Sequence, residues 1–207
     1  MLYIFDEADT PDKGFLESKM SLLSEERQAK VRRLRSLTGS NASAIVYLLL
    51  RLALNESYGI NEAVLFDYTE KGKPILKDYP HIHFNLSHSD NIAACVVNDA
   101  PVGVDVQKLK DVSDKVAGRV LTEEELLRFK SSLKPVEYFC KVWTIKESFL
   151  KRSGLGITTD LREISADDLK DIMTYRGLDY FCSVCGQFLD EVVIKRVGRE
   201  DFEKLCN

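Results

Sequence analysis

The sequence predicts an α+β protein made of two similar αβ lobes, because signals for helix starts and helix ends recur at a long, nearly fixed offset. Ser24 and Thr122 are both helix N-cap residues followed by glutamates, and they lie 98 residues apart (122 − 24). Gly59 follows a long apolar helical pattern, and Gly154 and Gly156 follow a second one. Repetition at a fixed offset indicates related structural units.

The stretch around Asp99-Ala-Pro101 is the best candidate boundary, which gives an N-terminal lobe of residues 1–100 and a C-terminal lobe of residues 101–207. The predicted strands are Leu2–Phe5, Ala63–Tyr68, His83–Leu86, Ile92–Val97, Val102–Val106, Tyr180–Cys185 and Glu191–Val197. The predicted helices begin after Ser24 and Thr122 or cover Ser40–Tyr58 and Pro135–Arg152. The last two strands are expected to form a hairpin and to complete the second sheet. Two lobes packed face to face leave a cleft, where ligand sites often lie.

Composition places the chain among soluble globular proteins and limits its partners. Of 207 residues, 44% are hydrophobic and 30% are charged, and the formal net charge of −4 argues against a general nucleic-acid binder. The apolar run Ala44–Leu54 is predicted to be too short to cross a membrane. Five cysteines with no secretory leader predict a cytoplasmic protein with reduced thiols.

The segment Gly103-Val-Asp-Val-Gln107 is predicted to be a strand with a polar face. Alternate side chains of a strand share a face, so Val104 and Val106 would enter the core while Asp105 and Gln107 point together at the cleft. The alternative is an edge strand whose polar side chains face water.

The segment Trp143-Thr-Ile-Lys-Glu-Ser-Phe-Leu-Lys151 is predicted to be helical. Residues four apart share a helix face, so Trp143, Glu147 and Lys151 form one stripe, with Lys146 and Leu150 beside it. The alternative is a surface Glu-to-Lys pair, but the tryptophan favours a buried stripe.

Three further segments are polar or basic, and the first and last of them could bind phosphate. Phe84-Asn-Leu-Ser-His-Ser89 offers several hydrogen-bonding side chains at the end of a strand, and Lys71-Gly-Lys73-Pro74 is a cationic turn. Arg27 and Lys30 lie three residues apart on one helix face. An ordinary loop, a solvated turn and a solvated helix face are the alternatives.

In this order and spacing the segments resemble the Sfp-type phosphopantetheinyl transferases, over about residues 24–157. The resemblance implies a fold with two lobes in pseudo-twofold arrangement and the active site between them. It implies Mg²⁺-dependent transfer of 4′-phosphopantetheine from coenzyme A to a serine of an apo acyl or peptidyl carrier protein, with release of adenosine 3′,5′-bisphosphate. Because one chain supplies both lobes, a monomer is expected.

The resemblance also implies roles for individual residues. Asp105, Gln107 and Glu147 are the expected metal ligands, Glu147 is also a candidate base, and Lys151 is expected at the reacting phosphate. The expected contacts to coenzyme A phosphates are Lys73, Ser87 and His88, with Arg27 and Lys30 near the 3′-phosphate.

Two positions depart from the family pattern. Many members carry glutamate where this chain has Gln107, so the site has one negative charge less and lower expected affinity for Mg²⁺. A nucleotide-contacting arginine is replaced near Asn41-Ala42, where Arg51 or Arg35 could compensate.

Two other classes of function remain open from the sequence. A non-catalytic binder of coenzyme A or nucleotide would need the basic residues but no metal-binding carboxylates. A metal-dependent hydrolase of nucleotide pyrophosphates would keep the carboxylates and use water as acceptor. The sequence does not distinguish fatty-acid, polyketide and peptide-synthetase carriers.

Overall fold

The computed structural model is a mixed α+β fold, described for residues 1–7, 13–154, 160–187 and 192–205. The strands are β1 Leu2–Phe5, β2 Phe66–Tyr68, β3 Pro74–Leu76, β4 His83–Ser89, β5 Ile92–Asn98, β6 Gly103–Lys108, β7 Ile172–Arg176, β8 Tyr180–Cys185 and β9 Ile194–Arg196. The α-helices are α1 Lys13–Lys19, α2 Glu25–Arg33, α3 Leu37–Tyr58, α4 Asp114–Ala117, α5 Glu123–Ser131 and α6 Pro135–Ser153. Short 3₁₀ turns cover Met20–Leu22, Leu161–Glu163, Ala166–Asp168 and Arg199–Lys204.

The described strands form two main sheets and a separate hairpin. The first sheet has the order β4-β5-β1-β9 and the second the order β6-β8-β7, while β2 pairs only with β3. The predicted hairpin between Tyr180–Cys185 and residues 191–197 is wrong, because β9 runs parallel to β1 in the first sheet. The neighbours of β8 are β6 and the unpredicted strand β7, so no edge of β8 is open to β9.

The two sheets pack against each other, and each carries one long helix on its outer face. Side chains of β1 alternate: Tyr3 and Phe5 enter the core under α3, whereas Leu2 and Ile4 meet the second sheet. Val104 and Val106 of β6 lie in this inter-sheet core, as predicted. Helix α6 covers the opposite face of the second sheet, together with α4 and α5.

The repeated helix signals are confirmed. The Ser24 hydroxyl caps α2 and the Thr122 hydroxyl caps α5, both nine residues long. Left-handed glycines end both long helices, Gly59 with φ 71° and Gly154 with φ 67°; Gly156 lies outside the described residues. Helix α3 begins earlier than predicted, because the Ser36 side chain accepts a hydrogen bond from the amide of the first turn.

Helix α3 is long and apolar enough to cross a membrane by length and composition, which corrects the shorter apolar run predicted from the sequence. It has 22 residues and an 18-residue window of mean hydropathy 1.4. However, 83% of that window is buried inside the protein, so the apolar composition is accounted for by the core between α3 and the first sheet.

Candidate active site

The site begins with an unusually close approach of α6 to β6 at Gly103. A Cβ atom at this position would lie 2.1 Å from the carbonyl oxygen of Ser148 and 2.4 Å from the amide nitrogen of Arg152. Only glycine therefore allows the helix to rest directly on the strand. This contact brings the first polar residue of β6 beneath the last two turns of α6.

Asp105, Ser87 and Lys151 form a hydrogen-bonded group that joins β6, β4 and α6. Asp105 is 6% exposed, and its Oδ1 accepts from Lys151 Nζ at 2.6 Å and from Ser87 Oγ at 2.9 Å. Lys151 Nζ also donates to Ser87 Oγ at 3.1 Å. Lys151 pairs with Asp105 and the helix is packed on β6, so the alternative of a surface Glu-to-Lys pair is excluded.

Glu147 completes the group one helical turn before Lys151 and is 8% exposed. Burial, and then the negative charge of Asp105, raise the pKa of Glu147. Burial also raises the pKa of Asp105, although the Lys151 ammonium acts in the opposite direction. Burial thus makes the ionised form of each carboxylate less favourable, and a cation bound between the two would stabilise both charges.

Two oxygen atoms of this pair suit a divalent cation. Asp105 Oδ2 and Glu147 Oε1 are buried and have no hydrogen-bond partner among the residues that the structure describes. Buried polar atoms without partners are rare, and hard cations such as Mg²⁺ take carboxylate oxygens. The donor set has two carboxylates: within the described ranges, no three His, Cys, Asp or Glu side chains cluster as a metal site.

Gln107 follows Asp105 on the same face of β6, but its side chain bonds to a neighbouring carbonyl group and not to Asp105, Ser87 or Lys151. Its side chain is half-buried, and its Nε2 donates to the carbonyl oxygen of Lys108 at 3.2 Å. This bond uses only the amide nitrogen, so it does not occupy the lone pairs of the amide oxygen.

Polar side chains of β4 accept hydrogen bonds from the backbone amides along the outer edge of β6, the edge strand of the second sheet. Asn85 Oδ1, Ser87 Oγ and Ser89 Oγ accept from the amides of Val104, Val106 and Lys108 at 2.9, 3.2 and 3.1 Å. The hydrogen-bonding residues predicted at the end of the strand are therefore part of the strand itself, and the alternative of an ordinary loop is wrong. The period of two in Asn85-x-Ser87-x-Ser89 was the available signal for this role.

The Ser87 hydroxyl is fully used by these contacts. It donates to Asp105 and accepts from the Val106 amide and from Lys151, which accounts for its one proton and two lone pairs. Its predicted role as a phosphate ligand stays a prediction, and it would require exchange of one of these bonds.

Three further basic side chains extend away from the carboxylate pair: His88 acts on Asp105, Lys30 acts on His88, and Arg27 acts on Lys30. The side chain of His88 reaches the surface, and partial desolvation of its ring by the surrounding protein, followed by the charges of Lys151 and Lys30, lowers its pKa. Arg27 lies over the rings of Tyr47 and Phe66, at 5.4 and 5.6 Å from their centroids. Desolvation, followed by the charge of Arg27, lowers the pKa of Lys30. On the helix face predicted from Arg27 and Lys30, it is Lys30 that lies near His88.

The position of the missing family arginine is buried. Ala42 is 6% exposed, and its neighbour Ser43 accepts a hydrogen bond from Arg27 Nη1 at 3.4 Å. Arg51 does not compensate, because it is 2% exposed and donates to the carbonyl oxygens of Leu22 and Asn61. Arg35 lines a different groove, between α1, α2 and the start of α3.

A cavity of about 210 Å³ lies beside the carboxylate pair. The β2–β3 turn and the end of α6 form its walls, which include Lys71, Lys73, Glu147, Lys151 and Gly154. It therefore contains cations from two different elements next to a buried carboxylate, an arrangement suited to a phosphorylated ligand with a bound metal ion.

Lys146 was predicted beside the stripe of Glu147 and Lys151, but its side chain lies on the other side of α6 and contacts α5 and the neighbouring turns. It is fully buried and donates to Glu125 Oε2 at 2.5 Å and to the carbonyl oxygens of Val120 and Leu161 at 2.8 and 3.0 Å. Glu125 in turn caps α5. This pair fixes the far side of α6, and nothing in the local sequence pattern identified its partner.

Comparison with known proteins gives matches over both halves of the chain. Residues 101–188 match the family model of the 4′-phosphopantetheinyl transferase superfamily, and residues 9–99 match that of 4′-phosphopantetheinyl transferase, N-terminal. A 4′-phosphopantetheinyl transferase of Bacillus subtilis is 34% identical over 76% of this chain and 71% of its own length. The 4′-phosphopantetheinyl transferase Sfp of Bacillus subtilis (strain 168) is 32% identical over 72% and 68%. The 4′-phosphopantetheinyl transferase gsp of Aneurinibacillus migulanus is 31% identical over 98% and 90%. The chain therefore belongs to the 4′-phosphopantetheinyl transferase superfamily, is of the Sfp type, and is a transferase of that activity.

Proposed function

We propose that the chain transfers the 4′-phosphopantetheine group from coenzyme A to a serine of an apo acyl or peptidyl carrier protein and that the reaction depends on Mg²⁺. The observation that carries the proposal is the meeting of Asp105, Glu147 and Lys151 beside the cavity between α6 and the β2–β3 turn. Two buried carboxylates and one lysine at a cavity of this kind suit phosphoryl transfer, which requires mainly positioning and charge stabilisation.

In the proposed reaction the carrier serine oxygen attacks the β-phosphorus of coenzyme A. A new P–O bond forms, the bond from that phosphorus to the bridging oxygen breaks, and adenosine 3′,5′-bisphosphate leaves with the electron pair. The serine proton passes to Glu147, directly or through a water molecule. Lys151 has one ammonium donor left after Asp105 and Ser87, and this donor stabilises charge on the phosphoryl oxygens.

Asp105 and Glu147 would hold the Mg²⁺ ion, with Gln107 as a neutral third oxygen donor. When bound, the ion neutralises the pyrophosphate oxygens that otherwise repel the incoming serine. We place the ligand role of Glu147 above its role as base, because a cation lowers the basicity of its ligands. Asp105 keeps its hydrogen bonds to Lys151 and Ser87 through Oδ1 and presents Oδ2 to the ion.

His88, Arg27 and Lys30 are proposed as ligands for the phosphates of coenzyme A. After desolvation, the charges of Lys151 and Lys30 lower the pKa of His88, and the charge of Arg27 lowers the pKa of Lys30, which supports one shared region of positive potential. This region adjoins Lys151, so one extended anion could contact all of them.

We also propose that the two lobes, 1–100 and 101–207, are related by a pseudo-twofold axis with the site between them. The matching lengths of α2 and α5 and the strand orders β4-β5-β1 and β7-β8-β6 support this relation. The final strand, β9, returns to the first sheet. A monomer acting in the cytoplasm completes the proposal, with fatty-acid, polyketide and peptide-synthetase carriers as candidate acceptors.

The test is mass spectrometry of several apo carrier proteins incubated with the chain, coenzyme A and Mg²⁺. A mass gain of one phosphopantetheine that EDTA abolishes would support the proposal. Glu147→Gln should remove the gain, and Glu123→Gln, an exposed change on α5, should not. Release of phosphopantetheine without a carrier would favour the hydrolase, and tight binding of coenzyme A without reaction would favour the binder.

A further inference from the structure

Lys73 links the β2–β3 turn to the end of α6. Its ammonium donates to the carbonyl oxygens of Lys151 at 2.7 Å, Arg152 at 3.0 Å and Val102 at 3.4 Å. A lysine ammonium has three donors, and these bonds use all of them. In this arrangement Lys73 has no proton left for a phosphate of coenzyme A.

The turn that carries Lys73 is itself well ordered by hydrogen bonds. Gly72 has φ 80°, and its amide donates to Thr69 at 2.8 Å, while the Lys73 amide donates to the Thr69 hydroxyl at 3.0 Å. The aliphatic part of Lys73 packs on Gly154, where a Cβ atom would lie 3.2 Å from Lys73 Cδ. The turn therefore presents the ammonium to α6 from a fixed position.

Lys73 binds the C-terminal end of α6, which is the part of the helix that carries Lys151. The last carbonyl groups of a helix have no partners within the helix, and a cation there also interacts favourably with the helix dipole. Lys151 accepts the Lys73 bond with its backbone while its side chain binds Asp105. Movement of this last turn would move the Lys151 ammonium directly.

Lys71, two residues away in the same turn, shows the opposite arrangement. It lines the same cavity, is exposed, and forms no hydrogen bond or ion pair with any residue in the described part of the chain. Its ammonium can therefore reach an anion in the cavity without breaking a contact in the protein.

We infer that Lys73 is a positioning residue that holds the end of α6, and that Lys71 is the phosphate ligand supplied by this turn. The inference rests on the proposed function, because the phosphates are those of coenzyme A. It reverses the expectation that Lys73 contacts phosphate, and it gives the two lysines separable kinetic effects.

The test compares Lys73→Met with Lys71→Met, because both changes remove the charge and keep a chain of similar length. Lys73→Met should lower kcat about 10- to 100-fold, since small misplacements of reacting groups are costly, and leave the KM for coenzyme A within about threefold. Its melting temperature should fall by about 5 °C, and amide hydrogen exchange at residues 150–154 should accelerate without coenzyme A. Lys71→Met should raise the KM about tenfold and leave kcat, melting temperature and exchange unchanged.

Lys73→Gln provides a further check, since it keeps two donors for the carbonyl groups and has no charge. It should recover part of the kcat that Lys73→Met loses. A raised KM with unchanged kcat and exchange in Lys73→Met would overturn the positioning role, and an unchanged KM in Lys71→Met would overturn the ligand role. Hydrogen exchange needs no reaction, so an inactive wild type would count against the proposed function alone.

Discussion

Gly103→Ala tests the claim that direct contact between α6 and β6 creates the site. The added methyl group would lie 2.1 Å from the Ser148 carbonyl oxygen, whereas such contacts are rarely below 3.0 Å, so the backbones must separate by about 0.9 Å (3.0 − 2.1). Both close neighbours are backbone atoms, which cannot rotate away. Overpacking of this kind costs about 1–3 kcal/mol, and a displacement near 1 Å can cost about 100-fold in rate.

The assay combines thermal unfolding with the rate of carrier modification. Gly103→Ala should unfold about 3–10 °C below wild type and should transfer about 100-fold more slowly. Gly118→Ala is the matched control, because Gly118 has φ −67° and its added Cβ meets only one atom, at 3.2 Å. If Gly103→Ala kept both the stability and the rate of Gly118→Ala, close packing at Gly103 would not be what positions the site.

Three other changes test separate parts of the structure. Glu147→Gln should reduce transfer at least about 100-fold and leave the melting temperature equal or higher, because burial raises the pKa of Glu147 and its charge costs stability. A stable but fully active variant would remove Glu147 from the mechanism. Lys146→Met should cost about 3–5 kcal/mol in urea unfolding, since it leaves Glu125 charged and buried, and adding Glu125→Gln should restore part of that loss. If the double variant were less stable than Lys146→Met, the unpaired charge would not be the cause. The pKa of His88 in the free protein is lowered from about 6.5, and a bound phosphate favours the protonated ring, so coenzyme A affinity measured by calorimetry should rise more between about pH 7 and pH 5.5 in wild type than in His88→Gln. Equal pH slopes would show that His88 does not contact a phosphate.

Local sequence signals predicted the helices well, because caps act over a single turn. Ser24 and Thr122 began helices as expected, and Gly59 and Gly154 ended them. The course of β9 could not be predicted in this way. Its pairing with β1 joins opposite ends of the chain, and the short pattern of Ile194–Arg196 carries no information about which edge it meets.

The candidate site was predictable at the level of residue types and less so at the level of contacts. The motif spacing predicted that Asp105 and Lys151 belong to one site, and in the structure Lys151 Nζ lies 2.6 Å from Asp105 Oδ1. The residue type gives the number of hydrogen-bond donors and acceptors on each side chain, but the sequence does not show which partners they bind. Ser87 and Lys73 look like free polar groups in a loop and a turn, yet each has all its donors engaged with neighbouring strands or helix ends.

Strand β4 binds the backbone amides along the edge of β6 and also holds the buried carboxylate of Asp105, and these two roles explain why the motif on β4 is polar at alternate positions. Asn85 and Ser89 each accept a hydrogen bond from a backbone amide of β6, so they set the register between β4 and β6. Ser87, between them, binds a backbone amide and Asp105 together. A slip of β4 along β6 would therefore break the amide contacts and the carboxylate contact in one step. The orientation of Asp105 consequently depends on the packing of the two sheets as well as on Lys151.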